Sequence, residues 1–81
     1  MSTRTSDIRR SAVADFELVV ADHSYSVAQV APTFVILETA ADIPAGPGTL
    51  FIRIEGRETR RSVELPEGAS LASTRVPIVR L

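Results

Sequence analysis

The chain has 81 residues, 44% of them hydrophobic and 23% charged, a balance too apolar for a disordered segment and sufficient for one small domain. Its net charge of −1 and isoelectric point near 5.7 exclude a global basic field, so nucleic acid is not expected as a partner. The lack of cysteine and the single histidine exclude a disulfide framework, thiol chemistry and the common zinc patterns.

Residues 1–12 are polar, rich in Ser, Thr and Arg, and read as a flexible tail ahead of a single β-domain over 13–81. A short helix from Ser6, with Asp7 in its first turn, is compatible with that tail. MSTRTSDIRRSAVADF has no apolar run of signal-peptide length, and no later stretch approaches the ~20 apolar residues that span a bilayer. A cytoplasmic location without membrane association is therefore expected.

From Ala14 the character changes. FELVVA, TFVILET, TLFIRIE and RRSVEL are short, dense in β-branched and aromatic residues, and separated by Pro, Gly or Asp. This pattern predicts strands near 15–21, 25–30, 33–39, 49–55, 58–65 and 76–80, with a turn at Asp22 to Ser24, a loop over 40–48 and a turn at PEGAS. About six short strands without a helical period make an all-β domain, either a small antiparallel barrel or a two-layer sandwich. A core of this size contributes on the order of 3–5 kcal/mol net, so a homodimer is kept open as a supplement.

Alternation assigns the faces. Leu50, Ile52 and Ile54 share one side of their strand and are expected to face the core, with Phe51, Arg53 and Glu55 on the other. In TFVILET both parities are apolar, as in a strand covered on two sides, so a charge at Ile36 should be poorly tolerated. Two registers are open for the hairpin at Glu55 to Arg57. A Gly56-Arg57 turn sets Leu50 opposite Val63 but Arg53 against Arg60; a Glu55-Gly56 turn sets Arg53 opposite Glu58 and requires Glu to take positive φ. Pro77 favours an edge position for the last strand, which either closes the barrel or pairs with another chain.

Among candidate chemistries, Asp22-His23-Ser24 holds the residue types of a catalytic triad. Three consecutive residues do not converge on one point, however, and Asp22 and Ser24 suit a turn in which their oxygens accept from nearby backbone donors. No catalytic residue is assigned. The carboxylates lie singly, without a metal-ligand spacing, so neither a metal nor a cofactor is expected. Gly46-Pro47-Gly48 lacks the helix and lysine of a phosphate loop.

All nine basic residues are arginine and asparagine is absent, a usage expected of a GC-rich bacterial genome. RIEGRETRR, residues 53–61, gathers Arg53, Arg57, Arg60 and Arg61 with Glu55 and Glu58. This segment is a candidate interaction surface for an acidic partner, and equally a mixed-charge strand that discourages edge pairing.

Asp22-His23-Ser24 followed by β-rich sequence also resembles the PilZ domains, small bacterial β-barrels that bind cyclic di-GMP. Their pattern is an Arg-x-x-x-Arg tail, then Asp/Asn-x-Ser-x-x-Gly on a strand. The chain supplies Asp22 and Ser24, with Val27 in the glycine position and tail arginines at Arg4, Arg9 and Arg10 that depart from the spacing. Residues 34–56 look like the strand, loop and strand that follow the motif. The resemblance implies a dinucleotide site made by Arg9 or Arg10 with Asp22 and Ser24. The leading expectation is a non-enzymatic protein-interaction or structural module with a protein partner that the sequence does not identify; nucleotide binding is the alternative.

Overall fold

A computed structural model describes residues 14–81, so the tail, with Arg4, Arg9 and Arg10, lies outside the described residues. Seven strands form one antiparallel sheet: β1 (Ala14–Val20), β2 (His23–Val30), β3 (Phe34–Leu37), β4 (Gly46–Ile54), β5 (Arg57–Leu65), β6 (Arg75–Pro77) and β7 (Val79–Arg80). Their spatial order is β6-β3-β2-β1-β4-β5-β7. The two outermost strands are thus consecutive pieces of one segment, separated by Ile78 alone. That segment crosses from one edge of the sheet to the other and all but closes it into a barrel.

The closure is made by backbone bonds on both sides. Ile78 N–H donates to Thr33 O at 2.9 Å, Leu37 N–H to Thr74 O at 2.8 Å, and Leu81 N–H to Ser62 O at 3.1 Å. Pro77 pairs with Phe34, between the first two of these bonded positions, so its missing N–H falls where antiparallel strands exchange no bond. VPIVRL therefore brings the barrel close to closure from within its own chain. Pro47 follows the same rule on β4: its nitrogen faces beyond the end of β1, which reaches β4 only to the Val19–Thr49 pair. The strand consequently begins at Gly46, inside the stretch expected as loop.

Both tight hairpins use turns with positive φ. Val20 pairs with His23 across Ala21-Asp22, whose φ angles are 53° and 69°. His23 and Ser24 accordingly lie on β2, not in the turn where the sequence placed them. At the other hairpin Ile54 pairs with Arg57 and Arg53 with Glu58, with Glu55 at φ 51° and Gly56 at φ 84°. This is the second of the two registers: opposite charges across the strands outweigh the steric cost of a left-handed Glu.

The inward faces supply the core. Leu18, Val35, Val63, Leu65 and Val76 are fully buried, joined by Val20, Val27, Leu37, Ile43, Leu50 and Ile78. On β3 it is Val35 and Leu37 that enter the core, while Phe34 and Ile36 lie half-buried on the outside. The outer face of β3 is thus only partly covered, Phe34 by the Arg75 guanidinium at 4.2 Å from the ring centre. A β-bulge between Val27 and Gln29 shifts the β2–β3 register, bending β2 away from β1 and around the barrel.

The two ends of the barrel differ. At the end of the Ala21-Asp22 turn, the 38–45 and 66–74 connections fold over the core and join at Ile43 and Ala69, which exchange backbone bonds of 3.0 and 2.8 Å. Ile43, 2% exposed, plugs this end. The opposite end carries the Ala31 to Thr33 connection and the β4–β5 hairpin, with Ile54 46% exposed. The face expected to enter the core thus leaves it along β4, from buried Leu50 through Ile52 to open Ile54.

Candidate functional site

The arginine-rich hairpin divides between two faces. Arg53 and Arg60 project outward with Phe51 and Glu58, whereas Arg57 and Arg61 pair with Ile54 and Leu50 and project with them toward the open end of the barrel. The four arginines therefore do not make one patch.

On the outer face, Arg53 is held by three carboxylates. Its Nη2 donates to Glu17 Oε1 at 2.9 Å, its Nε to Glu58 Oε1 at 2.9 Å and its Nη1 to Asp15 Oδ2 at 3.1 Å. Glu17 and Asp15 come from β1 and Glu58 from β5, so this one side chain ties the two neighbours of β4 across it. These bonds, Glu17's foremost, raise the guanidinium pKa further above its ordinary value. Arg53 and Arg60 also flank the Phe51 ring at 5.6 and 6.0 Å from its centre. With all three of its nitrogens bonded to carboxylates, Arg53 acts as a fastener within the sheet.

Ser24 belongs to the same outer surface. Its hydroxyl donates to the Glu17 carboxylate, and Ser24 pairs with Val19 beside the Glu17–Ser26 pair. Asp22 stands exposed in the turn at the plugged end. The six residues of β1 between Ala14 and that turn span about 20 Å, so Asp22 and Ser24 lie far from the point where the tail enters the barrel. Arg9 and Arg10 are outside the described residues, and no geometry joins them to Asp22 or Ser24.

Two hollows lie at the open end. A groove of about 310 Å³ is lined by Val30, Ala31, Pro32, Leu50, Ile52, Arg61, Val63, Ile78 and Arg80. A second hollow, of about 480 Å³, lies nearer the hairpin tip against Ile52, Ile54, Glu55, Arg57 and Thr59. Ile52 lines both. The open end thus presents Leu50, Ile52, Ile54 and Val63 together with Arg57, Arg61 and Arg80, and Glu55 as the acid at the tip; the groove is the more apolar of the two hollows. Val79 and Leu81, 52% and 74% exposed, alternate with Ile78 and Arg80 and so face outward, away from the groove.

One edge of β5 borders this groove. β7 pairs with β5 only at Val63 and Glu64, and Leu81 adds a bond at Ser62. Among the described residues, no strand lies against Arg57 to Arg61 on that side. Because Ile54 and Arg57 close a two-residue hairpin, odd-numbered β5 residues bond to β4, and the N–H and C=O of Glu58 and Arg60 point outward from the sheet. The sequence showed the arginines but not this edge, since only the closing path of residues 75–80 determines how much of β5 is covered.

Among the described residues, no group of three or more Asp, Glu or His side chains is placed to hold a metal ion, and no helix is long and apolar enough to cross a membrane. Comparison of the chain with protein-family models, curated proteins and solved structures finds no match.

Proposed function

We propose that this barrel is a non-enzymatic protein-interaction module, and that its open end is the surface that receives the partner. The observation that carries this reading is the contrast between the ends: Ile43 and the paired loops seal one, while the other exposes Ile54 in a hollow beside a second, more apolar groove. An apolar strip beside a charged rim is the usual composition of a contact surface. The cytoplasmic location expected from the sequence belongs to the same proposal.

Site-specific photo-crosslinking tests it. A photoreactive residue replacing Thr59, at the open end, should capture a defined protein in cells of the native host, and one replacing Ser70, at the plugged end, should not. Capture should disappear when Ile54→Asp is added to the Thr59 probe. Equal capture at the two ends, or none at either, would reject the open end as an interaction surface.

A further inference from the structure

The shape and charge of the β5 edge specify the partner's chemistry more narrowly. We infer that the open end binds an extended acidic segment of another protein, which adds as an antiparallel strand to β5 along Arg57 to Arg61. This inference rests on the interaction reading above and deepens it.

Backbone geometry sets the mode. Glu58 and Arg60 each direct one N–H and one C=O away from β4, the arrangement that an incoming strand requires. β7 already runs antiparallel to β5 as far as Leu81 opposite Ser62. A guest strand continuing in that direction meets Arg61 first and Arg57 last, over about 17 Å.

Charge sets the composition. The edge carries three arginines against one glutamate; two copies paired antiparallel about Thr59 would set Glu58 against Arg60 twice but also Arg57 against Arg61 twice, and the net positive charge of each edge makes that pairing poorer than one with an acidic guest. The residues 1–13 of the chain carry Arg4, Arg9 and Arg10 against Asp7 and are equally mismatched. Charge on an exposed edge discourages indiscriminate strand pairing, and here it admits a guest of opposite sign.

Side-chain alternation then gives a pattern. The first, third and fifth guest residues share the inner face with Arg61, Thr59 and Arg57, and the second and fourth face outward opposite Arg60 and Glu58. Acids at the first and fifth positions meet the two inner arginines. A β-branched apolar residue at the third lies over Thr59 and toward Ile52, which pairs with Thr59 in the hairpin. In an extended guest these two acids stand about 13 Å apart, as Arg57 and Arg61 do on their own strand, whereas the same pair on a helix would stand only about 6 Å apart.

Fluorescence anisotropy with the full chain and a labelled peptide bearing the core Glu-Thr-Val-Thr-Glu tests this directly. Binding should weaken about tenfold when the acids move to the second and fourth positions, since the pairs with Arg61 and Arg57, at up to ~1 kcal/mol each, are lost, one with Arg60 is gained, and the other acid is set against Glu58. Methylating the peptide nitrogen of the second or fourth residue should abolish binding, because those amides face Arg60 and Glu58; methylating the third should leave it intact. On the protein side, Arg60→Pro removes an outward N–H without touching the β4 bonds, and should lose binding that Arg60→Ala keeps. The double variant Arg57→Glu with Arg61→Glu should prefer the peptide with Lys in place of Glu. Indifference to amide methylation would overturn strand addition, and tighter binding of single-stranded oligonucleotide than of the acidic peptide would overturn the assigned partner class. Failure of the peptide together with successful crosslinking at Thr59 would overturn this inference alone and leave the interaction reading standing.

Discussion

Replacing Gly68 by Ala should test how much of the barrel's stability depends on the plugged end. Gly68 has φ 63°, and a Cβ built on it would sit 2.2 Å from Ile43 O, 2.8 Å from Ala45 N and 2.9 Å from Pro44 C. All three are backbone atoms, so no side-chain rotation relieves the clash. Gly56 is the control: its φ is 84°, but a Cβ there has no atom within 4 Å. Both substitutions incur the left-handed penalty of about 1–2 kcal/mol. Only Gly68→Ala must also push residues 43–45 outward.

That displacement strains the two Ile43–Ala69 backbone bonds, each contributing about 0.5–1.5 kcal/mol net. It also begins to expose Ile43, whose full burial contributes about 1.5–3 kcal/mol. Gly68→Ala should therefore cost roughly 2–3 kcal/mol more than Gly56→Ala, a gap of about 10–20 °C in Tm for a domain of this size. Thermal and urea unfolding followed by far-ultraviolet circular dichroism measure it. Melting of the two variants within a couple of degrees of each other would mean that the 38–45 and 66–74 loops do not cooperate with the barrel.

Other outcomes follow from the same geometry. Arg53→Ala should melt below the wild type because it leaves Asp15, Glu17 and Glu58 facing one another without their shared cation, and added salt should narrow the difference by screening. Ala21→Asn with Asp22→Gly should stabilise the protein by about 0.5–1 kcal/mol in the same unfolding assay, since both residues now hold positive φ without the side chains that tolerate it best. Leu18→Ala should cost about 2–5 kcal/mol, whereas Leu71→Ala, at a site 73% exposed, should leave the urea midpoint unchanged. Cyclic di-GMP should produce neither calorimetric heat nor a Tm increase, because Ser24 is engaged by Glu17 in an acidic neighbourhood; a clear rise would restore the nucleotide reading.

The strands were legible because β-branched and aromatic runs separated by turn residues leave little freedom in where pairing begins. Less legible were features decided by distant partners. The β1–β2 turn was misplaced because Ala21 has no local preference for positive φ; only the pairing of Val20 with His23 imposes it. Pro47 looked like a loop residue because its tolerance on β4 depends on where β1 stops. The hairpin register could be narrowed to two by charge pairing, and Arg53 then settles it by binding Asp15 and Glu17 of β1 as well as Glu58. That third strand is invisible in a two-strand reading. For the same reason the arginine cluster was visible in sequence while its division into an internal fastener and an open rim was not.

Unequal strand length is what makes the open end. β4 and β5 are 9 residues each, while β3 has 4, β6 has 3 and β7 has 2. A barrel closed through its shortest members cannot cover its longest hairpin, and the excess must project from one end. The Gly46-Pro47-Gly48 start of β4 lies at the plugged end, so the projecting part is the tip, with Ile52 and Ile54 opposite Thr59 and Arg57. A hairpin that projected only to fill space would be expected to alternate polar residues on both faces. Here the inner face of β4 stays apolar to its last residue, Ile54, beyond the reach of the core that would otherwise explain it. An external strand laid along β5 would extend the inner face at that point and bring Ile52 and Ile54 under cover, completing at the tip the burial that the chain's own strands complete elsewhere.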